Sequence, residues 1–280
     1  MELRQPSSAE EAVGLLGNGS VALAGGTELV PLLREGLASA ERLVHVRRAV
    51  PRGIQGTRIG AGTTLAELEA DTRVPAALRE ACAQAASPQL RAMGTVGGNL
   101  LQATRCWYWR LDFPCFLHGG DRCHARQGQH REHAIFGNEL CASAHPSDVA
   151  AALLALGTTL RTTARELPLA GLYRLPTEED RTTTTLAADE LILELDVPAP
   201  AASVYLKAAD RRKWSFPLVG VAAARSEGET RIACAGIAPI PWPLATSDDL
   251  DSATPLPGNA YKAQIARALV RRAVAEISTR

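Results

Sequence analysis

Residues 94–148 read GTVGGNLLQATRCWYWRLDFPCFLHGGDRCHARQGQHREHAIFGNELCASAHPSD, and the rest of the chain is organised around them. They open on a glycine pair, Gly97 and Gly98, and close on a Pro-Ser-Asp turn. Between these ends lie four of the chain's six cysteines, five of its six histidines and two of its four tryptophans. No helical or strand period runs through the middle. An irregular segment this long inside a compact domain is usually functional or disordered. Disorder is disfavoured here, because Trp107, Tyr108, Trp109, Phe113, Phe116 and the cysteines are residue types that get buried. A metal centre held by the cysteines is the expected closure.

The spacing narrows the choice of centre. Cys106 is followed after eight residues by Cys115, after seven more by Cys123 and after seventeen more by Cys141. Zinc ribbons and conventional ferredoxins both show tight C-x2-C pairs, and none occurs here. Four well-separated thiolates still suit a 4Fe–4S cube, which takes one thiolate per iron. Zinc is the lesser alternative. His118, His124, His130 and His133 read as polar loop residues, some bonding to sulfur or to a cofactor edge. Arg105, Arg110, Arg122, Arg126 and Arg131 add positive charge that would offset an anionic cluster or a phosphate; a solvated loop surface is the plain alternative.

Upstream, SAEEAVGLL (8–16) predicts a short helix with Ser8 as cap and Glu11 completing a capping box. Val21–Ala24 reads as a strand that runs into Gly25, Gly26 and Thr27, then a helix through Leu29, Leu32 and Leu33. A strand, a glycine turn and a helix N-terminus make an anion site, since free amides and the helix dipole point outward. One Gly-Gly is a weak signal; two such turns, here and at Gly97-Gly98, are more informative together. Leu43–Val46 and Arg58–Ala61 read as strands. A helix follows Thr63 or Thr64, and another spans 75–87, where Cys82 reads as core.

Downstream, SDVAAALLAL (147–156) predicts a buried helix capped by Ser147, with Asp148 in its first turn. TTLRTTAREL alternates like a half-buried strand. The texture turns polar and turn-rich over 166–190, which places a domain boundary at its start: residues 1–166, with the cysteine-rich insertion at 102–146, and residues 167–280. Strands are expected at 191–198, 203–209 and 230–238, with a helical candidate at 217–225; together they suggest an antiparallel sheet. Cys234 reads as core. Residues 260–277 predict an amphipathic helix with Tyr261, Ile265, Leu269, Ala273 and Ile277 on one face.

The bulk numbers are permissive. The chain has 280 residues, 46% of them hydrophobic, which suffices for one large domain or two ordinary ones. Thirty basic residues balance thirty acidic ones, so there is no general pull towards nucleic acid or an acidic membrane. The polar start MELRQPSSAEEAV has no apolar signal core, and no run approaches the roughly 18–20 apolar residues of a membrane span. A cytoplasmic protein with reduced thiols is the expectation.

Five segments then become informative as a set: ALAGGTEL (22–29), GTVGGN (94–99), the PSD turn (146–148), ADELILELDVP (188–198) and LKAADRRKWSFPLVGVAAA (206–224). In this order and spacing the chain resembles the FAD-binding medium subunit of the molybdenum hydroxylases, over nearly its whole length. The cysteine-rich insertion looks like the subgroup with an extra 4Fe–4S cluster, as in 4-hydroxybenzoyl-CoA reductase and periplasmic-type aldehyde oxidoreductase. The resemblance implies an α+β fold: a two-lobed, PCMH-like FAD domain, then an antiparallel sheet with helices like the carbon monoxide dehydrogenase flavoprotein C-terminal domain. It implies that Leu23, Ala24, Gly25, Gly26, Thr27, Glu28 and Leu29 wrap the FAD pyrophosphate. Thr95, Gly98 and Asn99 would hold the phosphate and sugar chain, and Asp148 a cofactor hydroxyl. Leu191 and Ile192 would lie against the isoalloxazine, with Lys207 near its polar edge. Cys106, Cys115, Cys123 and Cys141 would carry the cluster. The implied function is an FAD-dependent oxidoreductase, the electron-transfer flavoprotein subunit of a complex with molybdenum-cofactor and 2Fe–2S subunits and an electron partner such as ferredoxin. A stand-alone iron–sulfur flavoenzyme acting on a small organic substrate is the alternative, and a zinc- or disulfide-stapled binding protein is a third. One departure stands out: RRKWSF replaces the acid that often follows the arginine of the KxxxR stretch, and its Trp214 would stack on flavin or substrate or pack on a neighbouring helix.

Overall fold

The computed structural model describes residues 1–211 and 214–279, so Arg212 and Lys213 of the RRKWSF stretch lie outside the described residues. The first lobe contains β1 (Glu2–Arg4), α1 (Ala9–Leu15), β2 (Ser20–Leu23), α2 (Leu29–Arg34) and β3 (Arg42–His45). Its three strands are parallel with β3 in the centre. Ser8 caps α1 through a bond from the Glu11 amide, but the Glu11 carboxylate returns to the amide of Ser7, not of Ser8. The expected reciprocal box is therefore shared between two serines.

The second lobe runs through β4 (Ile54–Gln55), β5 (Arg58–Gly60), α3 (Leu65–Ala70), α4 (Ala76–Gln84), α5 (Pro88–Met93), α6 (Val96–Leu100), α7 (Trp107–Arg110), α8 (Asp148–Ala155), β6 (Thr159–Thr162), β7 (Glu166–Pro168) and β8 (Ile192–Asp196). Its sheet is antiparallel in the order β4-β5-β8-β6-β7. A division at 166/167 would fall inside β7 and would part β8 from the strands β5 and β6 that it joins. The polar stretch between β7 and β8 returns to the lobe: Tyr173 is buried, and its hydroxyl donates to the Leu100 carbonyl at 3.0 Å. Thr64 opens α3 with a complete capping box to Glu67, and Ser147 caps α8.

The last part comprises β9 (Ala202–Ala208), β10 (Val219–Ser226), β11 (Glu229–Ala235), β12 (Trp242–Leu244) and α9 (Tyr261–Thr279), with the strands antiparallel in the order β12-β11-β10-β9. The sheet is covered on both faces. Val204, Val221, Ala223 and Cys234 pack with α9. Tyr205, Ala222, Ala224 and Ala233 join the core of the second lobe, against residues of α4 and α8. Residues 217–225, which read as a helical candidate, are thus largely strand. A strand buried on both faces loses the period of two that marks a strand in sequence. The buried face of α9 is also rotated from the expected one: Lys262, Ala263 and Ala266 are buried with Leu269, Ala273 and Ile277, while Tyr261 is not. The whole is the mixed α+β fold that the sequence led us to expect.

Candidate functional site

The two lobes and the last sheet meet around a cavity of about 1010 Å³. That is the upper end of the size range of ligand sites, and enough for a dinucleotide. Its walls include Ala24–Leu29 from the first glycine turn, Thr95, Gly98 and Asn99 from the second, and Asp148, Leu191 and Ile192. Twelve residues expected to hold one cofactor are thereby gathered from four separated segments. Leu23 and Lys207 are not in the wall.

The glycine turn is shaped by its neighbours. A Cβ on Gly25 would collide with the Met93 carbonyl, and Gly26 holds φ at +72°. Only glycine permits both the close approach and the left-handed turn. Among the described residues no acceptor is paired with the amides of Gly25, Gly26, Thr27 or Glu28. Four donors on one cavity wall form a cradle that favours an anion such as a pyrophosphate. At the second turn, Thr95 Oγ1 accepts the Gly98 amide at 3.2 Å, and Asn99 Oδ1 accepts Ser147 Oγ at 2.6 Å. The first bond caps α6 and the second ties it to the start of α8.

Asp148 and Lys207 meet each other. Lys207 Nζ donates to Asp148 Oδ2 at 2.8 Å and to the Gln84 carbonyl at 3.0 Å, and the Tyr205 hydroxyl donates to Asp148 Oδ1. Burial pushes the Asp148 carboxyl up, opposed by the Lys207 charge and by both hydrogen bonds. Leu191 and Ile192 are buried, apolar and on the wall, as an apolar ring would require. Trp214 is 63% exposed and lines the cavity together with Phe216. The sequence reading missed other wall segments, among them Ala144–Ser147 and Leu186–Ala188. The second runs into the first residue of the ADELILELDVP motif, which was the signal that could have found it.

The cysteine loop forms one side of the same cavity, through Arg105, Cys106, Trp107, Glu132 and His133. The Cys106 sulfur lies 3.2 Å from His133 Nε2 and receives the amides of Trp109 and Tyr108; burial pushes its thiol up to about 11. Cys123 is held down to about 6, first by the Cys141 thiol and then by the amides of Ala142, Ala125 and Arg126. Cys141 is raised by that same contact and by burial, and Ser143 bonds to its sulfur. Cys115 is buried. All six cysteines are free thiols, with Cys82 and Cys234 in the core. Three His, Cys, Asp or Glu side chains placed to grip one metal ion do not occur among the described residues. The four loop thiols remain a donor set of suitable chemistry for a cluster that takes one thiolate per iron.

Comparison with known proteins agrees with this geometry. The chain belongs to the family described as FAD binding domain in molybdopterin dehydrogenase, whose model matches residues 1–200. It is therefore an FAD-binding chain of oxidoreductase type. The aldehyde oxidoreductase FAD-binding subunit PaoB of Escherichia coli (strain K12) is 35% identical over 249 residues, covering 82% of this chain and 78% of that protein. The carbon monoxide dehydrogenase medium chain of Hydrogenophaga pseudoflava is 40% identical over 112 residues, 35% of this chain and 38% of that one. The solved carbon monoxide dehydrogenase from the same organism, in a form lacking the Mo-pyranopterin moiety, superposes with a TM-score of 0.71 at 25% identity. That match covers 100% of this chain and 97% of the other.

Proposed function

We propose that this chain is the electron-transfer flavoprotein subunit of a molybdenum-hydroxylase-type complex, carrying FAD and a 4Fe–4S cluster on Cys106, Cys115, Cys123 and Cys141. The observation that carries the reading is that Cys106 and His133 belong to the wall of the FAD cavity. When bound, FAD supplies exchange between two-electron and one-electron chemistry, and the cluster supplies single-electron capacity. The residues of the chain do the rest. The Gly25–Glu28 amides neutralise the pyrophosphate, Leu191 and Ile192 keep water off the ring, and amide donors stabilise thiolate at Cys106, Cys123 and Cys141. Asp148, in contact with both Tyr205 and Lys207, presents a fixed carboxylate to the nucleotide's hydroxyls.

Partner subunits with the molybdenum cofactor and 2Fe–2S centres, and an electron partner such as ferredoxin, complete this reading. PaoB is itself described as a subunit and the carbon monoxide dehydrogenase relative as a medium chain. No helix among the described residues is long and apolar enough to cross a membrane, and we place the complex in the cytoplasm. Anaerobic purification with iron, sulfide and flavin analysis tests the cofactors; co-purifying molybdenum subunits test the complex. Cys115→Ser should remove the iron and spare most of the FAD. A chain that holds flavin but no iron under these conditions ends the cluster part of the reading.

One observation favours a second reading, a stand-alone iron–sulfur flavoenzyme acting on a small organic molecule. Trp214 and Phe216 stand exposed at the cavity rim, 63% and 51%, where such a substrate would stack. Turnover by the isolated chain, with no partner subunit present, separates the two.

A further inference from the structure

Glu28 stands at the seam between the flavin turn and the cysteine loop. It follows Gly25-Gly26-Thr27 directly and occupies the cap position of α2, but its side chain makes no cap bond. The carboxylate crosses instead to the loop. Oε1 accepts Arg110 Nη2 at 2.6 Å and the Ala103 amide at 3.1 Å, and Oε2 accepts Arg105 Nη2 at 2.6 Å. The three side chains are between 17% and 28% exposed, so the cluster is largely shielded from water and salt. Charge-assisted bonds of this kind are the strong ones. Arg105 is the residue before Cys106, and Arg110 also donates to the Thr104 carbonyl at 2.9 Å. The loop segment 103–110 is thus held at both ends by one carboxylate that belongs to the flavin turn.

We propose that Glu28 is a positioning residue that couples FAD binding at the glycine turn to the order of segment 103–110, which carries Cys106. Glu28 lines the cavity and has an amide there that is unpaired among the described residues, while its side chain holds the loop, so one residue has to be in place for both. Coupling of this kind is reciprocal: FAD orders the loop, and an ordered loop tightens FAD. The proposal rests on the FAD site and needs no cluster. Arg110 is the informative partner, because it is not part of the cavity wall. An effect of Arg110 on FAD therefore reports on the segment it holds rather than on a direct contact, and the double variant tells whether Glu28 carries it.

The test uses the full chain, with FAD affinity from fluorescence titration and amide hydrogen exchange measured with and without FAD. In the wild type, FAD slows exchange over 103–110 as well as over 24–29. Arg110→Gln weakens FAD by about 5- to 20-fold and abolishes the slowing over 103–110 while leaving it at 24–29. Glu28→Gln does the same, and the double variant is no worse than Glu28→Gln, as expected of residues acting as one unit. Arg110→Lys, which keeps a cation near Glu28, recovers most of the affinity. Unchanged exchange in β10 and α9 separates loss of the clamp from loss of the fold. Wild-type affinity in Arg110→Gln, or FAD that protects 24–29 but not 103–110 in the wild type, overturns the proposal. A wild-type chain that binds no FAD overturns it together with the flavin assignment, and only that outcome touches the latter.

Discussion

Lys207 Nζ lies 2.8 Å from Asp148 Oδ2, with the two side chains only 6% and 4% exposed. The pair ties the first turn of α8 to β9. Removing one partner of a buried pair leaves an uncompensated charge, at a cost of about 3–5 kcal/mol. Lys207→Met should lower stability to urea by about that much, and Lys207→Met with Asp148→Asn by clearly less than the sum of the two single changes. A Lys207→Met chain as stable as the wild type would mean that the pair contributes nothing.

Gly25 has no room for a side chain, because the Met93 carbonyl fills the place a Cβ would take. Gly25→Ala must push apart the glycine turn and the end of α5. FAD content on purification should fall several-fold, with about 1–3 kcal/mol lost from the apoprotein, as for other overpacked sites. Gly14→Ala is the control, since Gly14 has open space around it and, like Gly25, no left-handed φ. If Gly25→Ala retained full flavin, the close approach would be irrelevant to binding.

His145 is wholly buried beside the cavity, and burial, helped by Arg105, holds its ring down to about 3. An unfolded histidine titrates near 6.5. Below that pH the unfolded chain binds a proton that the folded one refuses. The contribution of His145 is therefore intact above about pH 6.5 and is lost as pH falls towards 3, by about 1.4 kcal/mol per pH unit. Urea midpoints measured from pH 7 to 5 should decline, and His145→Gln should remove about one proton's worth of that slope. An identical slope in the variant would show that His145 titrates normally in the fold.

Lys262 is fully buried, and its Nζ donates to the carbonyls of Glu132, His133 and Gly236 at 2.8, 3.0 and 2.5 Å. It pins the cysteine loop to the end of β11. Burial holds its ammonium down to about 7. Lys262→Met fills the space but leaves the Glu132 and Gly236 carbonyls without a donor, each costing about 1–3 kcal/mol, while the His133 carbonyl keeps the Asn259 side-chain amide. Thermal unfolding should start earlier, with faster hydrogen exchange concentrated at 130–136. Uniform change across the chain would argue against a local clamp.

The fold was legible where a segment makes its own structure. Ser8, Thr64 and Ser147 cap the helices they precede, and the strands at 192–196, 202–208 and 229–235 fall where turns and alternation placed them. It was illegible where burial on both sides erased the period, as in β10. The polar stretch 166–190 suggested a domain boundary at its start because its composition is that of a surface loop, although the chain returns through it to complete the sheet with β8. In the cavity the glycine turns and the two apolar residues at 191–192 were readable. The second jobs of Glu28, Asp148 and Lys207 were not, since a charged residue in sequence does not say which distant charge it will meet.

By itself the sequence determined the local chemistry of this protein: two glycine turns, four spaced thiols, the caps and the family to which they belong. Only the tertiary structure decided the pairings. It set Lys207 on Asp148, turned the Glu28 side chain towards Arg105 and Arg110, and buried Lys262 under the cysteine loop. The reason is physical. Turns and caps depend on neighbours a few residues away, whereas a buried charge is stable only against a partner that the folded chain brings from far along its length.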